Sequence, residues 1–464
     1  MAGRRSSSWA RSSAGFLAAV ALLLALTAGT RVALVLATPD YGVYRDTEDE
    51  PEAAFDPFEH DGIAASLVLG HGFEGQLPPK DGFRAPGYPY FLAGIYELAG
   101  LGSGRIEAAR LAQVLLGVLA IALTGLIARR LFDRRVAIAA MAVAALYLPL
   151  ALVQEALLSE ALFVPLVLGA VAAALAGRDA HPFVARRTGW VLAAGALAGM
   201  ATLVRPNGLA LLLPLALLVW PRPWLRARSL AAPVLLVAAA LAAIAPWTIR
   251  NAVVLDRFAL VNVQSGYTLA GTFNEVARHA PGVQRGEWVS PSRVLPHKRS
   301  FDRWRQGDID ELELNDRLAE GALDYARAHP GYVAEVGFWN IVRLLGFGTR
   351  ERSRLTLGTT GYGEAGLADA ARYSFWVLGA LALAGVALTR RWRAPVLWLV
   401  PLLLVLSTAF VTSSTPRART PAEPFLAILA AAGAVRLAGL AHRPSAEGAL
   451  SPGLVSSKRA TAGR

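Results

Sequence analysis

Two carboxylates and a set of arginines are placed where they could do chemistry. Asp56 stands in Phe55-Asp56-Pro57-Phe58-Glu59-His60-Asp61-Gly62-Ile63, ahead of an apolar run that ends at Gly70. It reads as the N-cap of a short surface helix, its carboxylate accepting backbone N–H groups. It also reads as a base held at a membrane boundary, able to take a proton from a hydroxyl. The two roles are compatible. Arg84, in Phe83-Arg84-Ala85-Pro86-Gly87-Tyr88-Pro89-Tyr90, is either a lipid-headgroup anchor or a ligand for a lipid-linked phosphate. Glu160, with Glu155 close by, lies between two apolar runs, where a carboxylate is costly unless it is paired or used. Arg205, Arg250, Arg417 and Arg419 also fall at the ends of apolar runs. Arg31, inside the first run, is expected to make a structural pair.

The elements that position these groups are membrane helices. Of 464 residues, 55% are apolar and 17% charged, against roughly 25% charge in ordinary soluble domains, and the mean hydropathy is +0.42. Apolar runs near 15–37, 106–128, 136–153, 160–177, 189–204, 208–221, 229–247, 372–389, 395–412 and 424–440 are each close to the length that crosses a bilayer. The expected fold class is an all-α polytopic membrane protein: a bundle of about ten spans with two long outer loops, about 38–105 and 248–371, carrying interfacial helices.

Charge sets the orientation. Arg129-Arg130-Leu131-Phe132-Asp133-Arg134-Arg135, the 178–188 and 221–228 stretches, and Arg390-Arg391-Trp392-Arg393 are short, arginine-rich connections on one side. The positive-inside rule makes that side cytoplasmic, with both termini. The expected layout is a tail over 1–14, a membrane domain over 15–440, and a disordered Ser, Ala and Gly-rich tail over 441–464. The long loops then face outward, and the site arginines lie on the outer side, against the usual trend. In the second loop, Asp308–Arg327 has helical apolar spacing, and Pro330–Phe347 is an amphipathic run for the membrane surface.

Other classes are poorly served. The net charge of +12 is scattered between spans, which excludes a nucleic-acid partner. No cysteine is present, so disulfides and thiolate chemistry are excluded. The histidines have no zinc spacing, and neither a metal nor a cofactor is expected, although the acidic run Asp46-Thr47-Glu48-Asp49-Glu50 is of the type that binds hard cations. A transporter would carry polar residues through the middles of several spans, and here the middles are nearly all Ala, Leu, Val and Gly.

The order of motifs carries a resemblance. The N-terminal anchor, the first-loop Asp and helix ending Gly70-His71-Gly72-Phe73, and Arg84-Ala85-Pro86-Gly87-Tyr88-Pro89 are followed by Ser159-Glu160-Ala161-Leu162-Phe163 and Arg205-Pro206-Asn207-Gly208. Pro246-Trp247-Thr248-Ile249-Arg250-Asn251 and Arg417-Ala418-Arg419-Thr420-Pro421-Ala422-Glu423-Pro424 complete the set. Together they resemble the GT-C glycosyltransferases of family 39, the dolichyl-phosphate-mannose protein mannosyltransferase-like branch that includes the lipid A aminoarabinose transferase. This chain departs from the family pattern at His60, Ala85 and Ala418, and in having Asp56-Pro57 for the usual Asp-Glu. The resemblance implies inverting transfer of a sugar from a polyprenyl-phosphate donor to a lipid, glycan or protein acceptor at the outer face, with membrane lipids as further partners. It makes Asp56 the base and Glu160 a group that orients the acceptor or pairs with an arginine. Arg84, Tyr88, Arg205, Arg250, Asn251, Arg417 and Arg419 become substrate-binding residues. A flippase, or a polymerase or ligase of lipid-linked saccharides, is the alternative reading.

Overall fold

The computed structural model describes residues 2–37, 55–75, 80–180, 184–221, 227–279, 286–347, 365–389, 394–410 and 416–441. Among them every regular element is a helix. The acidic run at 46–50 and the tail after 441 lie outside the described residues.

Seven helices are long and apolar enough to cross a membrane: Ser13–Ala37, Arg105–Leu131, Glu160–Asp179, Ala185–Val204, Ala231–Val254, Gly366–Thr389 and Pro416–Ala438. The other three expected spans are also helical but shorter. The stretch 136–153 breaks at Tyr147 into Arg134–Leu146 and Leu148–Glu155, because Pro149 suits the opening turn of a helix and not its middle. The stretch 208–221 becomes a 3-10 turn, Pro206–Leu211, running into Leu212–Val219. The stretch 395–412 is Val396–Ala409.

We label the bundle helices α1 (Ala2–Ala37), α2 (Phe55–Val68), α3 (Gly87–Ala99), α4 (Arg105–Leu131), α5 (Arg134–Leu146), α6 (Leu148–Glu155), α7 (Glu160–Asp179), α8 (Val184–Val204), α9 (Leu212–Val219) and α10 (Ala231–Val254). In the second long loop, α11 is Ser265–Thr272, α12 Glu275–His279, α13 Leu295–Arg305, α14 Glu311–Ala328 and α15 Pro330–Leu344; the last apolar helices are α16 (Ala365–Thr389), α17 (Val396–Ala409) and α18 (Glu423–Ala441). One core of alanine and branched aliphatic side chains runs through the bundle, around α7. Leucines such as Leu17, Leu115 and Leu383 are left exposed on its outside, as lipid-facing side chains are. Small residues let helices meet closely: a Cβ on Gly385 of α16 would fall on the Leu429 carbonyl of α18.

The chain directions put the candidate residues at one end. Gly169 of α7 lies against Leu197 of α8 and Gly177 against Val191, so these helices run antiparallel, whereas Gly195 and Gly199 of α8 meet Leu236 and Ala240 of α10 in parallel order. The start of α7 and the ends of α8 and α10 therefore share an end with α3. Asp133 closes the opposite end of the bundle by capping α5, accepting from the Arg135 and Val136 amides at 2.8 and 3.0 Å.

Residues 265–336 build a second, smaller core from Ala270, Phe273, Phe301, Leu314, Leu318, Tyr332 and Val336. The expected helix over 308–327 begins at Glu311, where Asp310 is the N-cap and accepts from the Glu313 amide at 2.7 Å. The expected run over 330–347 is helical to Leu344, with Val336, Asn340 and Arg343 inward and Phe338 and Trp339 exposed.

Candidate active site

Glu160 opens α7, where the N-terminal dipole favours a carboxylate. Its side chain is 1% exposed and pairs with two arginines: Arg205 Nη1 at 2.8 Å and Arg417 Nε at 3.1 Å from Oε1. Arg205 is the residue between α8 and the 3-10 turn, with extended backbone, and it also donates to the Ser159 hydroxyl at 2.9 Å. Arg417 lies in the 3-10 turn Pro416–Ala422 ahead of α18. Three segments far apart in sequence thus meet at one buried carboxylate. The trio carries a net charge of +1 and keeps the two guanidiniums 21% and 17% exposed. A buried charge pair on this pattern holds its cations in fixed positions, and two guanidiniums against one carboxylate leave a net positive charge that suits an anion.

Tyr88 is fully buried in α3. Its hydroxyl donates to Gln113 Oε1 at 2.5 Å, and the Gln113 amide donates to the Ala156 carbonyl at 2.8 Å. Burial holds the Tyr88 pKa well above the ordinary phenol value, reinforced by Tyr96, Glu160 and Asp61, so Tyr88 acts as a neutral donor. The His60 ring meets it edge-on at 5.0 Å. The motif glycine has its own reason: a Cβ on Gly87 would stand 2.7 Å from Val204 Cγ2 and 3.0 Å from the Val204 nitrogen, so α3 packs directly on the residue before Arg205.

The first-loop turn carrying Arg84 is held from several sides. Arg84 is 9% exposed with its guanidinium over the Phe83 ring. The Asn262 amide donates to the Phe83 carbonyl at 3.1 Å and the Val263 amide to the Gly82 carbonyl at 2.9 Å. The Lys80 amide donates to Glu311 Oε2 at 2.6 Å. The two long loops are therefore stitched together. Arg250 belongs to this stitching: Nη1 donates to the Asp81 carbonyl at 2.6 Å and the cation lies 4.7 Å over the Trp247 ring. Asn251 is fully buried and gives its amide to the Ala259 and Val261 carbonyls at 3.0 and 3.1 Å, folding the chain back after α10.

Arg419 points away from Arg417. It donates to Glu423 Oε1 at 2.9 Å and to the Leu344 carbonyl, and stacks on Phe375. Tyr147, at the break between α5 and α6, donates to the same Glu423 oxygen at 3.0 Å. Asp56 stands within the first turn of α2 and not ahead of it; its side chain lies outside what is described.

Of the residues singled out in the sequence, the structure brings together Glu160, Arg205 and Arg417, with Tyr88 close by. Arg84 lies on the neighbouring turn and Arg250 reaches it from α10, whereas Arg419 and Asn251 are engaged in holding helices and loop. Sequence reasoning missed Gln113, a polar residue about two turns into an apolar span, and the buried Asp61. Asp61 accepts from Tyr96 at 2.7 Å and from Arg105 at 3.0 and 2.9 Å, fixing α2 to α3 and α4. Among the described residues, no three His, Asp or Glu side chains are grouped to hold a metal ion.

Residues 83–249 match the model of the dolichyl-phosphate-mannose-protein mannosyltransferase family. The structure resembles the oligosaccharyltransferase AglB of Archaeoglobus fulgidus, solved with an inhibitory peptide and a dolichol-phosphate, with a TM-score of 0.51 and 14% identity over 91% of this chain and 51% of that one. ArnT of Cupriavidus metallidurans, solved bound to undecaprenyl phosphate, gives a TM-score of 0.40 and 18% identity over 82% of this chain and 74% of that one. No curated protein sequence matches. The all-helical bundle with its long apolar helices has the GT-C fold. The segment similar to the dolichyl-phosphate-mannose-protein mannosyltransferase family runs from the turn of Arg84 to the residue before Arg250.

Proposed function

We propose that the protein transfers a sugar from a polyprenyl-phosphate carrier to an acceptor hydroxyl at the outer face of the cell membrane, with inversion, both termini being cytoplasmic. The observation that carries this reading is the buried Glu160 carboxylate bracketing Arg205 and Arg417 at one end of the bundle. In the reaction, the acceptor oxygen loses its proton to Asp56 and bonds to the anomeric carbon as the bond from that carbon to the phosphate oxygen breaks. The leaving phosphate gains charge, and Arg205 and Arg417 neutralise it, with Arg84 on the adjoining turn and Arg250 reaching that turn from α10. Such a donor fits an outward-facing site, since nucleotide sugars stay in the cytoplasm. The family match and the dolichol-phosphate seen with the similarly folded AglB support the same donor class.

The test is incubation of purified protein in detergent with radiolabelled polyprenyl-phosphate sugars, following release of free polyprenyl phosphate. Release is expected from at least one donor, and excess EDTA should leave it unchanged. Asp56→Asn should abolish release while retaining donor binding, and Arg417→Ala should weaken that binding. No release from a broad donor panel, together with saccharide movement in vesicles, would replace this reading with a flippase.

A further inference from the structure

Gln113 is fully buried in the membrane helix α4, where an amide is tolerated only if its groups are used. Both of its functional ends are engaged, and they connect two parts of the site. Its Oε1 accepts from the Tyr88 hydroxyl, four residues after Arg84; its Nε2 donates to the Ala156 carbonyl, four residues before Glu160. The link from Ala156 to Ser159 is what turns α6 into α7, and the Leu158 amide donates back to the same Ala156 carbonyl at 2.7 Å. At the other end, Gly87 packs on Val204 beside Arg205. A displacement of Tyr88 or of Ala156 therefore changes the spacing between the Arg84 turn and the bracket of Glu160 with its two arginines.

We infer that Tyr88 and Gln113 are positioning residues: a hydrogen-bonded strut that sets the distance between the Arg84 turn and the Glu160 bracket, and through it the fit of the site to a phosphate. The inference rests on the phosphate-binding role proposed for that site. It gives Tyr88 a place in the site without contact to substrate.

Tyr88→Phe and Gln113→Leu, separately and together, distinguish a strut from ordinary core packing. The readouts on full-length protein in detergent are affinity for undecaprenyl phosphate, backbone amide exchange over residues 157–162, and thermal unfolding. Tyr88→Phe leaves the Gln113 oxygen unsatisfied, and Gln113→Leu leaves the Tyr88 hydroxyl unsatisfied and the Ala156 carbonyl with the Leu158 amide; the double variant replaces both side chains by apolar groups, which restores most of the stability. A strut predicts about tenfold weaker affinity and about tenfold faster exchange in both single variants. It further predicts that the double variant regains thermal stability without regaining affinity, its loss equal to that of the worse single variant. Packing alone predicts that affinity returns with stability, and that result overturns the inference. So does affinity within twofold of the wild type in Tyr88→Phe, the milder change. If wild-type protein does not bind undecaprenyl phosphate, the phosphate-binding proposal fails, and amide exchange over 157–162 still decides whether the strut exists.

Discussion

Glu160→Gln separates a bracket from a ligand-contacting carboxylate, because the two predict opposite changes in affinity. The substitution keeps the shape and removes one negative charge, taking the trio from +1 to +2. A phosphate resting on the outer side of the guanidiniums would be about 6.5 Å from that charge. At an effective dielectric of about 20, the repulsion removed is about 2.5 kcal/mol. Against this, two guanidinium–carboxylate contacts at 2.8 and 3.1 Å become contacts to a neutral amide, losing about 1 kcal/mol each, which appears as looser arginine placement. The balance is about 0.5 kcal/mol in favour of binding, so undecaprenyl phosphate should bind about twofold more tightly. The same substitution should cost about 2 kcal/mol of stability, a fall in melting temperature of about 2–4 °C for a protein of this size. Isothermal titration and scanning fluorimetry on one preparation measure both. Affinity that drops tenfold with an unchanged melting temperature would refute the bracket, since the carboxylate would then be contacting the ligand itself.

Asp61→Asn should lower stability by about 3 kcal/mol, because it strips the charge from a buried bidentate pair with Arg105, yet leave undecaprenyl phosphate affinity within twofold; a large loss of affinity would place Asp61 in the site. Gly87→Ala should cost about 1–3 kcal/mol by overpacking against Val204 and also weaken phosphate binding, since the displaced backbone leads into Arg205; unaltered thermal unfolding would contradict that contact. His297 in α13 is 6% exposed, and burial holds its pKa below the ordinary imidazole value. The unfolded chain therefore takes up the proton first, and stability should fall as pH drops below about 6.5, towards the depressed folded value. Melting temperatures from pH 7.5 to 5 should show this slope, with His297→Gln flattening it; an equal slope in the variant would assign the effect elsewhere.

The sequence exposes much of this arrangement because membrane physics acts on composition. A span must be apolar over its length, so Glu160, Arg205 and Arg417 stand out at the boundaries of apolar runs, and those boundaries share an end of the bundle. The break at Tyr147 is signalled only by Pro149, two residues on, and an apolar run conceals it. Gln113 gives no periodic signal at all, being one amide among leucines and alanines. The roles of Arg419 and Asn251 depend on partners, Glu423 with the Leu344 carbonyl and the Ala259 and Val261 carbonyls, which no spacing reveals for contacts across distant segments. The helix over Glu311–Ala328 is legible from its period, whereas the bond from the Lys80 amide to Glu311 joins residues 231 positions apart and is a tertiary fact.

The bracket at Glu160 also bears on biosynthesis. Its members leave the ribosome at different times: Arg205 follows Ser159, the residue before the acid, by 46 residues, whereas Arg417 comes more than two hundred residues later. A nascent chain can thus neutralise its first guanidinium early, as a helical hairpin entering the translocon, and remain inert until the final helix docks. Activity would then report completed insertion, and a truncated product lacking that helix would be silent without any dedicated inhibitor.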